Sequence, residues 1–148
     1  MTGPAHRSPT TLVALLSVAF VVSIVHYVDN TLNYDDFPVL PADRSLPNPA
    51  VEVVAGAWFV FTAFGLLGLW LFSRNRIAAA AVALAVYSGS GLVGIAHYLV
   101  PGATDMVWWR QAHVITDIVL GALVFAFAIR LATTQRREGP GAEAPRPS

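Results

Sequence analysis

Four long apolar segments dominate the pattern of hydrophobic and polar residues along the chain. Each has the length of a membrane-crossing helix, about 17 to 25 residues, and each is bounded by polar or proline-containing stretches. The pattern therefore predicts an all-α integral membrane protein, folded as an antiparallel four-helix transmembrane bundle. The predicted spans cover about residues 12–28, 51–72, 77–100 and 107–131.

The segments outside these spans differ sharply in composition. Residues 1–9 and 134–148 are polar and proline-containing, which predicts disordered tails on either side of a transmembrane domain at 10–133. The connector at 30–50 contains three aspartates and four prolines. Because the prolines exclude regular helix, we predict a proline-rich acidic loop, long enough to fold back as a lid over the helix ends.

Composition supports the membrane assignment and limits the chemistry. The chain is 55% hydrophobic and 12% charged, whereas a soluble domain has about 25% charged residues. We therefore predict that its partner is the lipid bilayer, and the absence of a basic cluster gives no indication of nucleic acid. The sequence has no cysteine, so a metal would need nitrogen and oxygen ligands.

The arginines indicate an orientation. If both termini lie on the same side, seven arginines share that side and two lie on the other. The seven are Arg7, Arg74, Arg76, Arg130, Arg136, Arg137 and Arg146, and the two are Arg44 and Arg110. By the positive-inside rule we expect a multi-pass protein of the cell membrane with both termini cytoplasmic and the acidic loop outside.

In that orientation, three histidines and two aspartates fall near the outer leaflet. His26, His97 and His113 lie at one level, and Asp29 follows His26 by three positions, on the same helical face. Asp117 is the only acidic residue well inside a predicted span. A carboxylate at a span's centre costs about 2.5 to 3.5 kcal/mol, so Asp117 should face the bundle interior, most locally towards His113.

Three interpretations of this constellation compete. Our main hypothesis is a hydrogen-bonded polar cluster that shapes a pocket for a small apolar ligand, or an interface with another membrane subunit. The first alternative is a metal-dependent membrane enzyme acting on a lipid-like substrate. Its zinc or iron would be held by His26, His97 and His113 with Asp117 or Asp29, and Asp117 is the candidate catalytic base. The second is an electron carrier whose haem b is held by two of the histidines.

For other residues near the outer leaflet, the sequence predicts structural roles in membrane anchoring and helix packing. Arg110 is predicted to extend to water, and Tyr27 and Tyr98 to anchor the helices at the membrane interface. Ser90 and Gly94, four residues apart, predict a close approach between two helices.

Two family resemblances accompany this pattern. The His26-x-x-Asp29 spacing and the histidines at the span ends resemble the seven-helix, metal-dependent amide hydrolases of ceramidase type. The four-span layout with a proline-rich first loop is similar to the sterol-binding EXPERA group. This chain has four predicted spans instead of seven and does not match the sterol-binding group's functional residues, so neither resemblance assigns a role to a residue.

Overall fold

The computed structural model describes residues 9–38 and 48–138, and this part of the chain contains helices and connecting turns but no strand. The long helices are α1 (Pro9–Leu32), α2 (Val51–Ser73), α3 (Ile77–Leu92) and α4 (Trp108–Glu138). Short 3-10 helices cover Tyr34–Asp36, Val93–Leu99 and Ala103–Asp105. Counting the 3-10 turns that continue α3, four helical segments are long and apolar enough to cross a membrane, which confirms the predicted four-helix bundle.

The helix boundaries differ from the prediction at the ends of α1, α3 and α4. α1 continues beyond residue 28 to Leu32, because its last polar residues are buried inside the bundle. α3 changes to 3-10 geometry at Val93, after a glycine-containing stretch that favours regular helix weakly. α4 extends to Glu138. Residues 1–8, 39–47 and 139–148, which include most of the predicted tails and the middle of the predicted lid, lie outside the described residues.

The four helices pack in a ring, in which α1 contacts α2 and α4, and α3 contacts the same two helices. One face of α1 shows how the core is divided. Its first half buries Leu12, Leu16 and Ala19, whereas the same face further along buries Ser23 and His26. The apolar half of the bundle therefore lies towards the start of α1, and the polar half towards its end.

α3 and α4 touch through their backbones. A Cβ atom on Gly91 would collide with the backbone carbonyl of Asp117, and one on Gly121 would lie 2.8 Å from the carbonyl oxygen of Ser88. Glycine is required at both positions because no side chain fits between the helices. Gly94 is packed against side chains instead, since a Cβ there would lie 3.1 Å from Cγ1 of Ile118 and 3.4 Å from Cε1 of His26.

The contact between α3 and α4 makes Gly91 a sensitive position. We expect Gly91→Ala to reduce the free energy of unfolding by about 1 to 3 kcal/mol, because the added methyl group forces the two backbones apart. Gly56→Ala is the matched control, since a Cβ on Gly56 would meet nothing within 4 Å. Unfolding of both variants in detergent measures the difference, and equal stability would contradict backbone-to-backbone packing.

Candidate functional site

Polar side chains of α1 and α4 form a ladder of hydrogen bonds across the bundle. Nδ1 of His26 lies 2.7 Å from Oδ2 of Asp117, and both side chains are almost fully buried. Closer to the end of α1, Oδ2 of Asp29 accepts hydrogen bonds from Arg110 at 2.8 Å and from His113 at 3.0 Å. Because the helices are antiparallel, residues later in α1 face residues earlier in α4.

The partner of Asp117 differs from the prediction. Asp117 pairs with His26 of α1, whereas His113, its expected local partner, pairs with Asp29. The reason is geometric. Asp117 and His113 share the face of α4 that is turned towards α1. On α1, His26 and Asp29 are three positions apart, and this spacing matches that of the two α4 residues. Bonds between the helices therefore replace the expected bond within α4.

Arg110 is buried, which corrects the prediction that it extends to water. It is 6% exposed, and its Nε and Nη2 donate to the two carboxylate oxygens of Asp29 at 2.8 and 3.3 Å. Nη2 also lies 3.2 Å from the more exposed Asp36, and the guanidinium lies over the rings of Phe37 and Trp109. A buried carboxylate needs a charged partner, and the planar guanidinium can donate to both of its oxygens at once.

His97 joins the same group from the 3-10 turns after α3. Its Nε2 lies 3.1 Å from Nδ2 of Asn30, and its ring packs against Phe37 with centroids 5.0 Å apart. The ring of His26 lies 5.8 Å from that of His97 and 5.6 Å from that of His113. The three histidines picked out in the sequence are therefore brought together around His26. We call the following set the polar cluster: His26, Asp29, Asn30, His97, Arg110, His113 and Asp117.

The three histidines converge, but among the described residues they do not form a metal-ligand arrangement. Within residues 9–38 and 48–138, no group of three or more His, Cys, Asp or Glu side chains is placed to hold a metal ion. One ring nitrogen of each histidine instead faces Asp117, Asn30 or Asp29. The structure thus gives no support to the zinc or iron hypothesis. The catalytic role of Asp117 and the haem alternative stay predictions.

A cavity of about 460 Å³ lies beside the polar cluster, between α1, α2 and the 3-10 turns that follow α3. We call it the rim cavity. Its polar side is formed by His26, Tyr27, Asn30 and His97. The remaining lining is mainly apolar: Val53, Val54, Ala57, Phe61, Val93, Ala96, Leu99 and Val100 from the helical segments, with Tyr34, Phe37, Pro38, Asn48 and Pro49 from the ends of the loop.

The size and lining of the rim cavity are those of a ligand site. Small-molecule sites have volumes of about 300 to 1,000 Å³ and combine apolar walls with a few polar groups that orient the ligand. A pocket of about 500 Å³ between α3 and α4 is slightly larger, but it is lined only by aliphatic side chains such as Ala78 and Ile129. It offers no side chain that could orient a molecule, so we regard the rim cavity as the better candidate.

Two buried histidine nitrogens have no hydrogen-bond partner among the described residues: Nε2 of His26 and Nδ1 of His113. Buried polar atoms are nearly always paired with protein, water or ligand atoms, so each of these nitrogens is free to bond to a group outside the protein. Tyr27 is satisfied internally, because its hydroxyl donates to the carbonyl of Ser90 at 3.2 Å. Tyr27 is therefore a buried residue of the cavity wall, which corrects its prediction as an interfacial anchor.

Sequence reasoning missed Arg110 as a member of the site, although a signal was present. Arg110 precedes His113 by three residues and Asp117 by seven, so the three share one helical face. The adjacent Trp108 and Trp109 are exposed, whereas Arg110, which was predicted to extend to water, is buried.

The chain matches no family model, no curated protein and no solved structure. The class of protein therefore follows from the fold and the site alone. The protein is a multi-pass membrane protein with a buried polar cluster at one end of its bundle.

The ion pair between Asp29 and Arg110 can be tested by removing one partner or both. We expect Asp29→Asn to destabilise the protein by about 3 to 5 kcal/mol, because it leaves the guanidinium buried without its main carboxylate. The double variant Asp29→Asn/Arg110→Gln should lose less than the sum of the single changes. Asp105→Asn, at an exposed connector residue, is the control and should change stability by less than about 0.5 kcal/mol. Strict additivity in unfolding titrations would rule out the pair.

Proposed function

We propose that this membrane protein binds a small, mainly apolar molecule in the rim cavity, with the molecule's polar end against the polar cluster. The observation that carries the proposal is the cavity itself, about 460 Å³ in volume and bordered on one side by His26, Asn30 and His97. Apolar walls provide most of the binding free energy, and the polar side gives a ligand one preferred orientation.

The unpartnered nitrogen of His26 supports the same proposal. An unsatisfied buried polar group costs about 1 to 3 kcal/mol, so a molecule that completes this hydrogen bond gains affinity. His26 is held in place by Asp117, and Asn30 bonds to His97. The polar side of the cavity is therefore ordered before a ligand arrives, which lowers the entropic cost of binding.

A separate observation favours an interface between this protein and another membrane subunit. α2 buries only Gly65, Gly68 and Leu71 of its 23 residues, so most of its apolar surface is open to lipid or to another helix. Five of the seven residues of the polar cluster are buried, so the cluster offers little surface to a partner. A partner subunit that packs on α2 would therefore leave the ligand site in place.

Filling the rim cavity tests the proposed function. Ala57→Trp places an indole in the cavity, whereas Ala63→Trp adds the same group to an exposed position of the same helix. We expect organic-solvent extracts of the purified wild type and the Ala63→Trp variant to contain a common apolar molecule that mass spectrometry does not find with Ala57→Trp. Equal amounts from all three proteins, or no enriched molecule, would contradict a ligand in this cavity.

We also propose that both termini face the cytoplasm, on the basis of the arginine distribution. The absence of cysteine allows a direct test, because single cysteines can be introduced at exposed residues of opposite ends. In intact cells, an impermeant maleimide should label the Thr104→Cys variant, whose site follows the polar end of α3. It should label the Ser73→Cys variant, at the end of α2, only after lysis. The reverse result would invert the topology.

A further inference from the structure

The buried charges of the polar cluster do not balance. Asp29 and Asp117 bring two carboxylates, and Arg110 brings one guanidinium. The side chain of Asp36 is 62% exposed, so it lies outside the buried part of the cluster. With three neutral histidines, the buried part of the cluster would therefore carry one excess negative charge in a largely apolar bundle, where an uncompensated charge is strongly disfavoured.

The excess charge lies at Asp117. Asp29 is already compensated, because Arg110 donates to both of its carboxylate oxygens. Among the described residues, the only basic side chain that the structure places on Asp117 is His26. The other ionisable groups around His26 have different partners. Nε2 of His113 faces Asp29, Nε2 of His97 faces Asn30, and the hydroxyl of Tyr27 donates to a backbone carbonyl. A compensating proton is therefore held by the pair of His26 and Asp117.

This proton determines whether the unpartnered Nε2 of His26 is a hydrogen-bond donor or an acceptor. If the proton is on the imidazole, both ring nitrogens carry hydrogen. If it is on the carboxyl group, Asp117 donates to Nδ1, and the neutral ring keeps its hydrogen on Nε2. Nε2 is a donor in both arrangements. It is buried and lacks an acceptor among the described residues.

We propose that the ligand of the rim cavity is an apolar molecule with a carbonyl oxygen, and that this oxygen accepts a hydrogen bond from Nε2–H of His26. This inference rests on the proposed function and makes it specific. His26 is one of the residues that line the cavity, and the lining is mainly apolar, so water competes weakly there for a carbonyl group. A ligand without an acceptor leaves the donor unsatisfied.

The protonation of His26 can be measured without a ligand. In wild-type protein with ¹⁵N-labelled histidine, held in lipid nanodiscs at neutral pH, we expect the NMR shift of a protonated nitrogen at Nε2 of His26. The His26→Gln variant identifies the signal. His113 is the internal comparison: it faces the compensated Asp29, so its Nδ1 should be unprotonated. An unprotonated Nε2 on His26 would overturn the inference, even if a ligand binds.

The ligand class is tested with three matched probes, 2-undecanone, 2-undecanol and undecane. Binding to wild-type protein in nanodiscs is measured as the concentration-dependent rise in the unfolding temperature. We expect the ketone to bind about tenfold or more tightly than the hydrocarbon, because it completes a hydrogen bond to a charged or polarised donor. The infrared stretch of its ¹³C-labelled carbonyl should also shift to lower frequency on binding. These comparisons need no variant that might fail to fold.

The outcomes separate this inference from the proposed function. If all three probes bind equally, the rim cavity is a ligand site but the carbonyl inference is wrong. If the alcohol binds tightly and the ketone no better than undecane, the site requires a donor from the ligand, and the inference is again wrong. If none of the three raises the unfolding temperature, the proposed function fails, and the inference fails with it.

Discussion

The structure depends on two carboxylates that lie inside an apolar bundle. Asp29 of α1 and Asp117 of α4 each take their partners from the opposite helix, and these bonds fix how α1 and α4 lie against each other. A shift of either helix by one turn would separate both pairs and leave buried charges unpaired, which is costly. The pairing also accounts for two local features, the continuation of α1 to Leu32 and the inward direction of Arg110.

The packing of α3 complements this ladder. At Gly91 and Gly121, α3 lies against α4 without intervening side chains, whereas the space between α1, α2 and the end of α3 is bordered by larger residues such as Phe61. The rim cavity lies in that space. His26, which pairs with Asp117, is also part of the polar side of the cavity, so one residue both holds two helices together and is placed to orient a ligand.

Hydropathy predicted the four spans well, because the bilayer requires long apolar helices whatever their packing. The topology also predicted that three histidines meet near one end of the bundle. Which partner each side chain chooses was not predictable, since it depends on how the helices are rotated about their axes. Asp117 thus pairs with His26 in place of His113, and Arg110 turns inward to Asp29 in place of extending to water. The metal hypothesis identified residues that converge, but one ring nitrogen of each histidine faces another protein group.

The central claim is that the polar cluster and the rim cavity together form a ligand site. An experimental structure of the protein, purified from its native membrane in mild detergent, tests this claim most directly. We predict non-protein density of an elongated molecule in the rim cavity, with its polar end within hydrogen-bond distance of Nε2 of His26. A cavity closed by side chains, or occupied by water alone, would contradict the claim.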